Sequence, residues 1–416
     1  MKVILLAWRN IFRQKRHTAA TLLAVILGIA GLVVFEGFLH QLMGSFRDST
    51  ILSGIGHLQV ASRADYWKKG EYSPYSYALA DHGKVEQSLQ HDPRVLSVFP
   101  STGFTCLAGA GTKSLSLLVK AFPNSRMYFS QKTNRRADAS QLVPDKFYLG
   151  HLEAGEEPDP LQTGELYLGA TAARILGVRP GDTVTLMALL PEGGLNGRDF
   201  KIRGLFTSPG FDRYFAYTDY KTAMDFTLQK APPVLHILLR HRQDTAGVAG
   251  ELAVKFPQDH VKTWQELAVY YRQVNSMFTT FLTIIQAILM LVTLFLLANS
   301  MARSVLERRR EWGTLRALGT PAPAIVVMVL LEGILLGGVG GLAGLGVGYA
   351  AAGVINLCGG LPFHNASQLL SVDVVPEASL VGVAVLPLLI TGALAALAPA
   401  WQAVKTQPAD SLRELA

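Results

Sequence analysis

Four long apolar runs, carrying one charge between them, decide most of what this chain of 416 residues can become. The first lies between Arg16 and Glu36, and Thr18 to Phe35 is long enough to cross a hydrocarbon layer of ~30 Å as a helix. The second is the clearest: no charge occurs from Gln273 to Ala302, and Phe278 to Ala298 is almost wholly apolar. The third runs from near Pro323 to Leu357, interrupted once by Glu332, and the fourth from about Leu380 to Trp401. A cleaved signal peptide has an apolar region of only about 7–15 residues followed by a small-x-small site. The first run is longer and continues past Glu36 without such a site, so it reads as an uncleaved anchor.

The basic residues orient the spans. Lys2, Arg9, Arg13, Lys15 and Arg16 precede span one, Arg303, Arg308, Arg309, Arg310 and Arg316 lie between spans two and three, and Lys405 and Arg413 follow span four. The segment from Asn356 to Ser379 has neither Lys nor Arg. Basic residues favour the cytoplasmic side. All four spans therefore agree on cytoplasmic termini, a cytoplasmic loop between spans two and three, and an outer segment from about Gln41 to Tyr271. The expected layout is a cytoplasmic amphipathic segment at 1–16, span one at 17–40, an extracytoplasmic domain at 41–271 and span two at 272–302. A cytoplasmic loop at 303–320, span three at 321–357, an outer loop at 358–378, span four at 379–402 and a cytoplasmic tail at 403–416 follow.

The formal net charge of +7 sits largely beside the apolar runs, so it belongs to membrane orientation and not to nucleic-acid binding. Cys106 and Cys358 stand far apart with no CxxC pattern, and the histidines show no HExxH pair, so no metal site is expected. Gly340, Gly344 and Gly348 repeat at four-residue spacing in span three, which lets helix backbones approach closely where lipid provides no hydrophobic drive for association.

The outer segment reads as a mixed α/β domain with a core of its own. Strands are expected at Gly56–Ser62, Val95–Phe99, Ser114–Ala121, Thr183–Leu189, Phe200–Phe206, Arg213–Tyr217 and Val234–Arg240. Helices are expected after Asp81, at Gly169–Leu176, Thr218–Phe226 and Asp244–Lys255, and from Thr263 without a breaker into span two. The polar region from Pro123 to Thr163 looks like an inserted lobe. Gly109 to Ser114 lacks the glycine and spacing of a phosphate loop and reads as a hairpin turn. No catalytic set emerges.

Ile4, Trp8, Ile11 and Phe12 share one face of an amphipathic segment that suits the inner membrane surface. The loop after span two, Val305 to Gly319, is a short charged helix closed by glycine, with Pro321 and Pro323 beyond it. From its composition alone it is equally a positive-inside anchor or a docking element. Glu332 is a carboxylate inside a span, where an ionisable group usually has a function. It lies near the inner interface shortly after Pro323, however, so it reads as a structural anchor first and a dynamic element second.

The stretch Glu307-Arg-Arg-Arg-Glu-Trp-Gly-Thr-Leu-Arg-Ala-Leu-Gly319, followed by Glu332 and Gly333, resembles the signature ER-x-x-E-x-G-x-L-R-A-L-G…E-G of FtsX-like permeases, which include the MacB and LolC/LolE types. Ala7-Trp-Arg-Asn10 and Gln407-Pro-Ala-Asp-Ser-Leu-Arg413 are similar to the family's ends, although Gln407 replaces the usual Asp. Leu168-Gly and Leu176-Gly-Val-Arg-Pro-Gly-Asp182 are similar to its porter-type core, and Trp312 stands where a branched aliphatic is usual.

The resemblance implies a permease of an ABC transporter that works by mechanotransmission. The chain shows no Walker motif, so ATP and Mg would be bound by a separate cytoplasmic ATPase in two copies, with no cofactor in this chain. A second permease subunit, identical or paralogous, would complete the assembly in the inner membrane, with a periplasmic carrier or adaptor as a further partner. The coupling helix would span Glu307 to Leu318. Its site residues would be Glu307, Arg308, Arg310, Glu311, Thr314, Leu315, Arg316, Leu318 and Gly319, with Arg308, Arg310, Glu311 and Arg316 as polar contacts and Leu315 and Leu318 as apolar ones. The layout leans toward lipoprotein or lipid release. A MacB-like exporter of small molecules or peptides is the alternative, and a non-transport receptor or scaffold, such as an activator of a cell-wall hydrolase, is a reading of another class.

Overall fold

The computed structural model describes residues 15–70, 73–131, 146–156, 164–190, 193–208, 212–365, 368–376 and 380–405. The N-terminal amphipathic segment, the 407–413 ending and part of the expected lobe lie outside the described residues. The chain divides into two compact units, an α/β unit at 44–274 with 364–370, and a helical unit built from the remainder.

Among the described residues, eleven strands make the main sheet of the α/β unit: β1 Leu58–Ala61, β2 Val95–Ala110, β3 Lys113–Phe122, β4 Met127–Gln131, β5 Phe147–Gly155, β6 Glu165–Gly169, β7 Thr183–Leu189, β8 Leu195–Thr207, β9 Phe215–Asp219, β10 Val234–Leu239 and β11 His260–Thr263. The sixteen-residue β2 organises them. Its first half, Val95 to Ser101, pairs with β10 in a sheet of order β11-β1-β10-β2. Its second half, Thr102 to Ala110, enters a different ring. There the pairing runs β2-β3-β9-β6-β8-β7 and back to β2, which closes a six-stranded barrel.

Side-chain period explains both halves. Residues of β7 alternate strictly between exposed and buried, as a barrel strand with one wet face must. Every residue of β10 is buried, because it is a central strand covered on both faces. The barrel interior holds Phe104, Val119, Leu168, Leu186, Phe200 and Ile202, closed over by Leu176 and Phe226 from the helices Ala170–Leu176 and Tyr220–Thr227. The first of these helices ends on Gly177, whose left-handed φ of 78° lets Gly177 N–H and Val178 N–H both return to the Ala173 carbonyl.

Three expectations are corrected here, and the loop between spans three and four gains detail. The strand expected at Val95–Phe99 extends to Ala110, because its second half finds new partners in the barrel. The region expected as an inserted lobe contributes β4 and β5 to the main sheet, where Phe129, Phe147 and Leu149 are buried among aromatic neighbours. The helix expected to run unbroken from Thr263 stops after Leu267: Thr263 and Glu266 form a capping box over Trp264–Leu267, Ala268 leaves the helical region at ψ 59°, and a new helix starts at Val269. The loop between spans three and four carries a two-stranded hairpin, Leu361–Asn365 with Gln368–Val372.

Among the described residues, four helices are long and apolar enough to cross a membrane, within Lys15–Thr50, Val269–Glu307, Ala322–Leu357 and Leu380–Lys405. The first exceeds its expected span and passes into a π-turn, Ile51–Ile55, which ends where Gly54 takes φ 111°. In the helical unit, spans three and four meet at two glycines. A Cβ on Gly333 would run into the Gly392 carbonyl, and one on Gly392 into the Gly333 carbonyl. Spans one and three meet along the other glycine row, where a Cβ on Gly340 would lie 2.9 Å from Val25 and one on Gly348 2.8 Å from Val33. Span two contributes Leu297, Met301 and Val305 to the packed base of the bundle.

Candidate functional site

The segment between spans two and three contains a separate helix, Arg309–Ala317. Span two ends at Glu307, and Arg308 leaves the helical region at φ −103°, ψ 16°, so the chain turns a corner there. The far end is fixed by Leu318 and by Gly319, whose φ of 89° suits glycine. Pro321 then precedes the third span at its N-terminus, where a missing N–H leaves no helical bond unmade.

The period of 3.6 sorts the short helix into two faces. The inward face is held by Trp312, 1% exposed, which belongs to one buried cluster with Met301 and Val305 of span two, Ile325 and Val329 of span three, and Ala396 and Ala400 of span four. Gly313 is buried beside it, and Leu315 packs half-buried against the same cluster. Arg316 is half-buried and donates to the Val404 carbonyl in span four. The outward face presents Arg310 and Thr314 to solvent. The helix is shorter than the coupling helix expected from Glu307 to Leu318: Glu307 is exposed at the end of span two, and Leu318, 79% exposed, and Gly319 lie just beyond the helix. The Thr314 hydroxyl is turned back to the Arg310 carbonyl.

Arg308 lies at the corner with its side chain largely buried. Its Nε donates to Glu311 at 2.9 Å, its Nη1 donates to Glu332 of span three at 3.2 Å, and its guanidinium sits 4.6 Å from the centre of the Trp312 ring. Glu332 is correspondingly buried in span three. Hence the residues of the signature separate. Arg310 and Leu318 face solvent, Glu311 lies between the faces, and Arg308, Leu315 and Arg316 are committed to the chain's own spans. The family resemblance implies that Arg308 and Arg316 face a partner, and the structure turns both inward. The signal that they turn inward is their spacing from Trp312, four residues on either side, which puts all three on one helical face. The Glu332 partnership had no local signal, since its arginine is 24 residues away.

Among the described residues no group of three His, Cys, Asp or Glu side chains is placed to hold a metal ion. Cys106 is buried in the barrel, which pushes its thiol up to about 12, and Cys358 is exposed.

A long helix pair, a short helix turned between them, and a large α/β domain inserted after the first span define a membrane permease of the ABC transporter class. The chain matches the MacB-like periplasmic core domain over residues 18–254 and the C-terminal part of FtsX-like permeases over 283–408, and it belongs to this family of MacB- and LolC-type ABC transporter permeases. An uncharacterized ABC transporter permease of Bacillus subtilis strain 168, YvrN, is 24% identical over 99% of this chain and 98% of its own length. The lipoprotein-releasing system transmembrane protein LolC of Xylella fastidiosa strain Temecula1 is 27% identical over 95% of this chain and 93% of its own. Among solved structures, the periplasmic region of MacB from Actinobacillus actinomycetemcomitans is similar over 51% of this chain and 91% of that one, at 11% identity and a TM-score of 0.31.

Proposed function

We propose that this permease couples ATP hydrolysis on a separate cytoplasmic ATPase to movement of its α/β domain, with the helix Arg309–Ala317 as the docking element. The observation that carries the reading is the division of that helix into an anchored face and a solvent face. An isolated positive-inside anchor has no need of a tryptophan buried among three spans. A docking helix does, because force applied to Glu307, Arg310, Thr314 and Leu318 must reach the bundle. In this reading the connection between spans two and three and both chain ends are cytoplasmic, the membrane is the bacterial inner membrane, and the α/β domain is periplasmic. Two permease copies, identical or paralogous, pair with two ATPases, and ATP with Mg is held by those partners.

The cargo we favour is a lipoprotein or lipid released from the membrane, supported by the LolC relative that is alike over nearly the whole of both chains. The match to the MacB-like core domain keeps open a second reading, export of a small molecule or peptide with an adaptor protein. A decisive experiment is co-purification from native membranes. Arg310→Glu with Leu318→Asp reverses one charge and removes the exposed apolar contact without touching the inward face, and should reduce ATPase recovery at least tenfold. Undiminished recovery would refute the docking role. Accumulation of unreleased lipoprotein in a depleted strain, against unchanged release with altered drug tolerance, separates the two cargoes.

A further inference from the structure

Arg308 and Glu332 hold opposite charges out of water, with side chains only 13% and 6% exposed. Taking two charges out of water offsets most of their attraction, so an apolar pair of similar volume often holds a fold as well or better. The surroundings here are suited to such a pair, since Trp312, Val329 and Ile325 already line the same base. Stability alone therefore does not account for the ion pair.

What an ion pair adds is direction. Arg308 is the single corner residue between Val269–Glu307 and Arg309–Ala317. Its guanidinium is clamped on the short-helix side by Glu311 and by the Trp312 ring, and on the other side it holds Glu332. A tilt of the short helix moves Glu311 and Trp312 together, and the planar guanidinium between them must follow. Glu332 is next to Gly333, which lies too close to the Gly392 carbonyl of span four for any side chain to intervene. Displacement at Glu332 thus reaches spans three and four without a slack side chain to absorb it.

We infer that Arg308 and Glu332 are a positioning pair that converts tilting of the short helix into movement of spans three and four. The inference rests on the docking role proposed for 309–317. Its test uses the permease–ATPase complex co-purified into nanodiscs, with hydrogen exchange measured before and after a non-hydrolysable ATP analogue. The principal variant is the double replacement Arg308→Met with Glu332→Leu, which leaves no buried charge unpaired. The expected result is ATPase recovery within twofold of wild type, an intact nucleotide response in 309–317, and at least a fivefold smaller response in the α/β domain. Arg308→Lys keeps the charge but loses the two-armed geometry, and should give an intermediate response even if the double variant folds poorly. A wild-type-sized response of the α/β domain in either variant makes the pair a simple anchor and overturns the inference. So does loss of the ATPase from the double variant, which would assign the pair to building the docking surface, and so does a wild-type α/β domain that ignores nucleotide. Failure of the docking role itself shows separately, as ATPase retained by Arg310→Glu/Leu318→Asp.

Discussion

The barrel and the helical bundle solve the same packing problem with opposite residues. Inside the barrel, Phe104, Phe200 and Phe226 meet ring to ring, with centroids 5.5 and 5.3 Å apart, and the space between strands is filled by bulk. In the bundle, span three makes its closest approaches to its neighbours where it has no side chain, at Gly333, Gly337, Gly340, Gly344 and Gly348. The difference follows from the solvent. Water drives large apolar side chains together, about 25 cal/mol for each Å² removed from it. Lipid gives no such drive, so helices gain by close backbone approach and by polar contacts. Each unit also buries polar groups: the α/β unit holds a histidine among aromatic rings, and the bundle holds Glu332 against Arg308.

The largest effect that tests this contrast is a cavity in the barrel. Phe200 has no exposed surface and touches Phe226 across the interior. Phe200→Ala should destabilise the α/β unit by about 3–5 kcal/mol. Thermal unfolding followed by tryptophan fluorescence measures this, and a loss below about 1 kcal/mol would mean that the interior collapses to fill the void.

The buried histidine is next. His236 lies in β10 with its Nδ1–H donating to the Ile55 carbonyl and its Nε2 accepting from the Ser101 hydroxyl, stacked on Phe99. Burial holds its pKa down to about 4, helped by the nearby charge of Lys120. The sign follows from proton uptake. Above pH 6.5 neither state binds the proton, and between 6.5 and 4 the unfolded chain binds it while the folded chain does not, so stability falls as pH falls through that window. The loss reaches roughly 3 kcal/mol at most. His57, whose Nδ1 accepts from the Leu239 N–H and whose pKa burial also lowers to about 4, changes in the same direction. Unfolding temperatures at pH 7.5 and 4.5 should differ less in His236→Gln than in the wild type, and an unchanged difference would remove His236 from the account.

The same contrast governs what could be read from the sequence. Period-2 and period-3.6 patterns with glycine punctuation are local, and they place β7, β10 and the Ala170–Leu176 helix within a residue or two. The four spans were equally plain, because length and lack of charge are local properties as well. What escaped is set by partners far along the chain. The second half of β2 is a strand because β3 and β7 lie beside it. β4 and β5 are flanked by polar stretches, so only the pairing of β4 with β5, and of β5 with β8, reveals Phe129 and Phe147 as core. At the candidate site, the signature located the helix, but the inward turn of Arg308 and Arg316 depends on Glu332 and on the Val404 carbonyl. The glycine row was visible as a spacing, and its counterparts on span one were not.

That row supplies the finest comparison, since Gly344 and Gly346 are two residues apart on one helix. A Cβ on Gly344 would lie 2.7 Å from Ile29 Cβ, whereas one on Gly346 meets nothing within 4 Å. In an isolated helix both changes to Ala would be favourable by up to about 1 kcal/mol, because alanine restricts the unfolded backbone more than glycine does. Gly344→Ala must instead push spans one and three apart or displace the branched Ile29, and overpacking of this kind costs about 1–3 kcal/mol. The two variants should therefore move the unfolding temperature in opposite directions, Gly344→Ala downward and Gly346→Ala slightly upward. Adding Ile29→Ala to Gly344→Ala restores room at the contact and should recover part of the loss. Equal behaviour of the two single variants would mean that lipid, and not span one, lies against Gly344.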